Sequence, residues 1–249
     1  MPIQPLWKET ISVRPHETDF AGRWKPHCFF QAMQTIATNH ANHLGLGYHA
    51  MMQRDTVWLL ARLKLKIIRR PLMGETITLQ TWPRGLQQKI FFMRDFFLFD
   101  EKEEKIAAAT SAWLLVHAKE RRILKPDPQT LAGLPTNSGR LALDETIDKI
   151  ALPESMQEQF QVRAGYSSID LMQHVNNTCY IEWASDCFGM ETHRSRELES
   201  IQINYASEVK PGEEVAILRG QQDDHTAVIT GENRSSGSRA FEVVWRWAA

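Results

Sequence analysis

Asp170-Leu171-Met172-Gln173-His174, in the second half of the chain, lies over Asp19-Phe20-Ala21-Gly22-Arg23 in the first. Continuing from these without a gap, Cys179-Tyr180 meets Cys28-Phe29. Further on, Val209-Lys210-Pro211-Gly212-Glu213 lies over Pro71-Leu72-Met73-Gly74-Glu75, and Trp245 falls over Trp113. The offset shrinks from 151 to 138 to 132 along the chain, so the second copy has shorter connections. Each match is weak alone, but their common order predicts a duplicated unit of about 110 residues.

Around these anchors the two halves show the same order of elements. From 57 to 67 the odd positions are Val57, Leu59, Ala61, Leu63, Leu65 and Ile67, and the even ones end in Arg62, Lys64 and Lys66. That period of two marks a strand with one buried face. Residues 76–82, 89–99 and 107–117 read as three further strands, with a charged turn at 100–105 between the last two. Phe29, Met33, Ile36, His40 and Leu44 recur at spacings of three and four, and Gly45 and Gly47 stop that run, which predicts a helix. In the second half, 178–190 is the helix candidate, and 201–209, 214–219, 227–230 and 241–247 are strand candidates. A helix against several antiparallel strands, made twice, is an α+β pattern. The expected organisation is a first unit at 1–135, a linker at 136–154 with room for one short helix, and a second unit at 155–249.

The chain has 249 residues, which suits one large domain or two small ones. Its 43% apolar and 24% charged residues fit an ordinary soluble core. Lys plus Arg is 29 against 30 for Asp plus Glu, which argues against a generally basic, nucleic-acid-binding surface. No window approaches the roughly 18 apolar residues of a membrane span. Residues 1–10 contain Lys8 and Glu9 and no apolar run, so they do not read as a signal peptide. Three cysteines are too few, and odd in number, for a disulfide framework. A cytosolic location is expected, with no nucleic-acid or membrane partner.

The most chemically pointed stretch runs from Ser168 to Tyr180. It is polar and sits just before the second helix, which Asn176, Asn177 or Thr178 can cap. A helix start offers free N–H donors that can polarise a carbonyl. Asp170 and His174 are close enough to converge on one point, although a plain turn with a structural His–Asn network fits the same residues. Glu208 lies on the strand face of Gln202, Asn204 and Ala206, opposite Ile201, Ile203, Tyr205 and Val209. It is either a general base for water or an exposed strand glutamate. His40 and His43, with His49 beyond, read as core residues rather than metal ligands, since no carboxylate or cysteine joins them at ligand spacing. Cys28, Cys179 and Cys187, within or beside helices, read as inert buried thiols. Two basic stretches, Arg62, Lys64, Lys66, Arg69 and Arg70, then Arg121, Arg122 and Lys125, can dock an acidic partner or simply face solvent. The large residues Met33, Met51, Met52, Trp58, Phe91 and Phe92 fit core packing best.

The 170–180 stretch resembles the Asp-x-Asn-x-His-Val-Asn-Asn-x-x-Tyr motif of acyl-acyl-carrier-protein thioesterases, matched at Asp170, His174, Val175, Asn176, Asn177 and Tyr180. Asn204-Tyr205-Ala206-Ser207-Glu208-Val209 is similar to the family's Glu-Tyr-Arg-Arg-Glu-Cys segment, with Tyr205 and Glu208 in register. In the first half, residues 14–23 look like the opening strand and turn, Asn39-His40-Ala41 like part of the long helix, and residues 58–63, 81–84 and 111–113 like the strands after it. The resemblance spans most of the chain.

It implies a tandem double hot-dog, two long helices each wrapped by an antiparallel sheet. It implies hydrolysis of a fatty acyl thioester carried on acyl carrier protein (ACP), without metal or organic cofactor. By the same carry-over Asp170, His174 and Glu208 are the catalytic candidates, Glu208 activating water. Asn176, Asn177, Tyr180 and Trp58 are the substrate-binding candidates, with the acyl tunnel mainly in the first unit. ACP is acidic, so the basic stretches become its docking candidates, and pairing of two chains into a homodimer stays open. Two departures stand out: Met172 replaces the family Asn, and Val209 replaces the Cys after the Glu, which removes any thiol nucleophile there. An acyl-CoA hydrolase on the same fold and a non-catalytic acyl-binding protein are the rival readings.

Overall fold

A computed structural model describes residues 4–126 and 134–249. The chain divides into two compact units, Met1–Trp24 with Gln31–Ile147, and Lys25–Phe30 with Asp148–Ala249. The first carries β1 (Trp7–Ser12), most of α1 (Pro26–His43), α2 (Tyr48–Met52), β2 (Thr56–Ile67), β3 (Thr76–Gln87), β4 (Phe91–Phe99) and β5 (Lys105–His117). The second carries β6 (Gln157–Arg163), α3 (Cys179–Ser185), α4 (Met190–Ser195), β7 (Leu198–Tyr205), β8 (Glu214–Gln221), β9 (Thr226–Asn233) and β10 (Ser238–Trp247). The strands run antiparallel in the order β1-β3-β4-β5-β2 in the first unit and β6-β8-β9-β10-β7 in the second. Both units therefore have the same topology, the tandem double hot-dog.

The duplication holds down to single hydrogen bonds. The Asp19 N–H donates to the Arg23 carbonyl at 2.8 Å, and the Asp170 N–H to the His174 carbonyl at 3.0 Å. Both turns need a residue in the left-handed region, Gly22 at φ 72° and Gln173 at φ 61°. Short 3-10 turns at Pro15–Glu17 and Tyr166–Ser168 precede them at the same offset. Gly74 and Gly212 also match, at φ 86° and 84°, each donating its N–H to the end of its unit's first strand, Val13 or Ala164.

The long helix forms as its spacing predicts, burying Phe29, Met33, Ile36 and His40. It ends in a Schellman closure, with the Leu46 N–H on the Ala41 carbonyl and the Gly45 N–H on that of Asn42. The second helix departs from expectation. It is only seven residues long, and the chain re-enters a helix at Met190 after Gly189, whose extended backbone (ψ 158°) breaks the run. Phe188 leaves the helix line there to pack against Trp245 and Trp247. The opening strand lies at 7–12, ahead of the 14–23 stretch, which forms the turn instead. β7 stops at Tyr205, four residues short of the expected end.

Residues 134–153 form no helix. Part of this segment is strapped to the first unit. The Trp82 Nε1–H donates to the Arg140 carbonyl at 3.0 Å, the Ala142 N–H to Asp95 Oδ2 at 2.9 Å, and Arg62 Nη1 to the Ile147 carbonyl at 2.8 Å. Leu143 fills a cluster with Trp82, Phe97 and Ala108. Lys64 and Lys66 both pair with Glu145. Arg69 pairs with Glu75 and Asp100, and Arg70 with Asp19. Four cations of the 62–70 stretch thus make ion pairs within the first unit. In the second stretch Arg122 pairs with Glu120.

His40 is fully buried, its Nε2 on the Gln4 carbonyl and its Nδ1 3.0 Å from Arg94 Nη1. Burial, with the Arg94 charge, pushes it down to about 4, so it is a neutral core residue. Met51, Phe92 and Leu115 form one apolar cluster with Trp58 packed on it, whereas Phe91 packs with Met93, Ala112 and Ile147 and Met52 is exposed. The large residues therefore divide between clusters.

Candidate active site

The Asp170 turn is built by its own side chain. Asp170 Oδ1 accepts the Met172 N–H at 2.9 Å, and Oδ2 receives Asn176 Nδ2 at 3.4 Å. Asn176 is the second scaffold. Its Oδ1 accepts both the N–H and the hydroxyl of Thr178, at 3.0 and 2.8 Å, while its own N–H donates to the Ser168 carbonyl. Such an Asx turn launches α3 with Asn176, not Thr178, supplying the side-chain acceptor. Two of the helix-start donors expected for a developing oxyanion are therefore spent, the Thr178 N–H on Asn176 Oδ1 and the Cys179 N–H on the Asn176 carbonyl.

Glu208 reaches the same place from the other side. The N–H groups of Ala206 and Ser207 both point to the Ala240 carbonyl, at 2.9 and 3.2 Å. This bulge ends the regular strand and re-aims the residues after it. The Ser207 hydroxyl donates to the Arg239 carbonyl at 2.6 Å, and the Val175 N–H to the Val209 carbonyl at 2.9 Å, so Glu208 is pinned on both flanks. His174 Nε2 then lies 3.2 Å from Glu208 Oε2, with both side chains partly open to solvent. The structure joins Asp170, His174, Asn176 and Glu208 in one site, through one turn and one bulge.

Tyr180 is buried and stacked 4.8 Å from Phe241. The Tyr205 hydroxyl donates to the Asn177 carbonyl at 3.4 Å. Burial pushes both phenols above their ordinary range, so they stay protonated. Burial first, then the carboxylates of Glu182 and Asp170, push the Cys179 thiol up to about 11, and burial pushes Cys187 up to about 12, so neither is a thiolate at neutral pH. Trp58 belongs to the first unit, its Nε1–H on the Leu46 carbonyl at 3.2 Å and its ring edge-on to Phe92.

One neighbour escaped the sequence reading. The Lys210 N–H, together with Asn233 Nδ2 at 2.7 Å, holds the Glu213 carboxyl below its ordinary value, and the charge of His174 contributes. The sequence signal for Glu213 is the repeat match to Glu75, which accepts the Leu72 N–H as Glu213 accepts that of Lys210. The Asn-x-Thr spacing at 176–178 was likewise a legible turn signature. Among the described residues no cluster of three His, Cys, Asp or Glu side chains is placed to hold a metal ion. Nor is any described helix long and apolar enough to cross a membrane.

Two family models cover nearly the whole chain, the acyl-ACP thioesterase N-terminal domain at residues 4–134 and its C-terminal domain at 150–248. The chain is 25% identical over 241 residues to the chloroplastic oleoyl-acyl carrier protein thioesterase of Coriandrum sativum, covering 90% of this chain and 65% of that protein. It is equally identical to oleoyl-acyl carrier protein thioesterase 2 of Arabidopsis thaliana, covering 95% of this chain and 69% of the other. The chain thus spans about two thirds of the length of these plant relatives. In three dimensions it matches an acyl-ACP thioesterase from Bacteroides thetaiotaomicron with a TM-score of 0.89 at 21% identity, over 98% of each chain. It matches the 12:0-ACP thioesterase from Umbellularia californica with a TM-score of 0.86 at 20% identity, again over 98% of each. These likenesses establish a shared fold.

Proposed function

Because the chain belongs to the acyl-ACP thioesterase family, we propose that it hydrolyses the thioester of a fatty acyl chain carried on ACP, releasing the free acid. The observation that carries this reading is the 3.2 Å approach of His174 Nε2 to Glu208 Oε2 beside the Asp170 turn. Glu208 takes a proton from water as the water oxygen bonds to the thioester carbonyl carbon. The tetrahedral intermediate then collapses, the C–S bond breaks, and the departing sulfur takes a proton, giving carboxylic acid and carrier thiol. His174 orients Glu208 and the water. Asp170 holds the turn that presents His174. Val209 offers no sulfur, so the attack is by water directly.

In this reading the acyl chain occupies the first unit, where Trp58 stands against the Met51, Phe92 and Leu115 cluster. Asn176, Asn177 and Tyr180 are the substrate contacts of this reading, and they are held in place: Asn176 bonds Asp170, Asn177 receives Tyr205, and Tyr180 stacks on Phe241.

The test is thiol release from a C8 to C18 series of acyl-ACP thioesters beside the matching acyl-CoAs. The expected result is faster release from the carrier-protein series. Glu208→Gln and His174→Ala are expected to slow it by about a hundredfold or more, with circular dichroism unchanged. Full activity in a folded Glu208→Gln protein would remove Glu208 from the reaction. Equal release from both series would favour an acyl-CoA hydrolase.

A further inference from the structure

The two most exposed large apolar side chains among the described residues are Tyr166 (99%) and Leu171 (73%). They stand five residues apart, on the 3-10 turn and the Asp170 turn that lead into the site. Arg163, three residues earlier, is exposed, and so is Lys210, two residues beyond Glu208. The segments are joined: the Gly212 N–H donates to the Ala164 carbonyl at 2.8 Å, and the Ala164 N–H to that of Glu213 at 2.9 Å. Neither cation is among the ion pairs of the described residues, unlike the four that the 62–70 stretch commits to Glu145, Glu75, Asp100 and Asp19.

The duplication supplies an internal comparison. The first unit builds the same turn with the same bonds, but places Ser12 where Arg163 stands, Pro15 where Tyr166 stands and Leu72 where Lys210 stands. Where the turn has Asp170, His174 and Glu208, the first unit has Asp19, Arg23 and Arg70, locked into an ion cluster. The two cations and the exposed phenol thus accompany only the turn that carries the candidate chemistry. Tyr166 and Leu171 are more exposed than Phe20 (47%) in the matching turn, and exposed apolar side chains with cations nearby in the chain suit a docking surface.

The geometry points to Arg163, Tyr166, Leu171 and Lys210 as the surface on which the acidic carrier protein docks, an apolar lip flanked by two cations beside the site its thioester must reach. This rests on the reading of the chain as an acyl-ACP thioesterase. The carrier's acidic side chains meet Arg163 and Lys210, and its apolar residues cover Tyr166 and Leu171.

The experiment compares two double variants, Arg163→Glu with Lys210→Glu, and Tyr166→Ser with Leu171→Ser, against the wild type. One readout is the ratio of kcat/KM for an acyl-ACP to that for the same acyl chain on pantetheine, which has no carrier protein. The other is direct binding of thiol-bearing ACP by calorimetry, which needs no turnover. The expected result is a fall of about tenfold in the ratio and in carrier affinity for each variant, with the wild-type preference weakened by salt. Unchanged carrier binding and an unchanged ratio in both variants would overturn the docking surface. A wild type that binds carrier through these residues yet hydrolyses neither thioester would overturn the catalytic reading instead and leave the surface standing.

Discussion

Met172 is the residue at which this chain leaves its family's motif, and the structure shows what the position contributes. Asp170 engages the Met172 backbone N–H, which any side chain supplies. Met172→Asn is therefore expected to keep the turn and to preserve or raise the rate of thioester hydrolysis. A large loss would mean that the methionine side chain itself holds the substrate. Asn176 is the opposite case, because its side chain bonds Asp170, Thr178 N–H and the Thr178 hydroxyl at once. Asn176→Ala is expected to cost about 1 kcal/mol of stability, read from the denaturant midpoint, and to lower kcat by loosening Asp170. A midpoint equal to the wild type would show that the Asx turn is dispensable. The motif was legible because its residues are local. That His174 and Glu208 meet was not, since they are 34 positions apart and joined through a bulge. A period-two reading carries the strand straight on to Val209, because bulges come from backbone pairing rather than from side-chain pattern.

Elements were legible in proportion to how one-sided their burial is. β2, with alternating buried and half-buried positions, begins and ends within one residue of its expected bounds. β6 has polar residues at most positions and lies at the edge, paired only to β8, so no apolar period announces it. The second helix ends early because Phe188, which continues the apolar spacing, packs against Trp245 and Trp247 of β10 instead. Element packing also sets a stability prediction at Gly231 in β9. A Cβ there would lie 2.2 Å from Cε1 of Phe241, the buried ring on which Tyr180 stacks. Phe241 has no room to yield, so Gly231→Ala is expected to cost about 1–3 kcal/mol. It should also lower kcat, because Tyr180 stacks on that ring in the first turn of the helix that follows Asn176. An alanine variant with wild-type midpoint and rate would show that the Phe241–Tyr180 stack does not transmit to the site.

Across the whole molecule, one turn was made twice and put to two uses. In the first unit two guanidiniums converge on Asp19, at 3.1 and 3.2 Å. In the second, His174 Nε2 lies 3.2 Å from Glu208 Oε2 instead. The consequence is a division of labour that pH can separate. Burial alone would raise the Asp19 carboxyl, but the N–H groups of Arg23 and Ala21 and the charges of Arg23 and Arg70 outweigh it and hold the group below its ordinary 3.8. The Lys64 and Lys66 bonds likewise bring Glu145 down to about 2. A carboxyl whose folded value is depressed adds stability above its unfolded value and loses it as the pH falls through the folded one. Asp95, raised by burial, acts in reverse and favours the folded state as the pH drops. With Asp19 and Glu145 both depressed, the melting temperature is expected to fall as pH drops from about 5 to about 2. Asp19→Asn should melt lower than the wild type at pH 7 and show a shallower acid limb. At 25 °C, where it remains folded, it should turn over acyl-ACP at the wild-type rate. Asp170→Asn, the same change one repeat later, should instead lower kcat, because Asp170 holds the turn that carries His174. If Asp19→Asn slowed turnover as much as Asp170→Asn, the first turn would belong to the chemistry too, and the two copies would not have diverged in the way their side chains indicate.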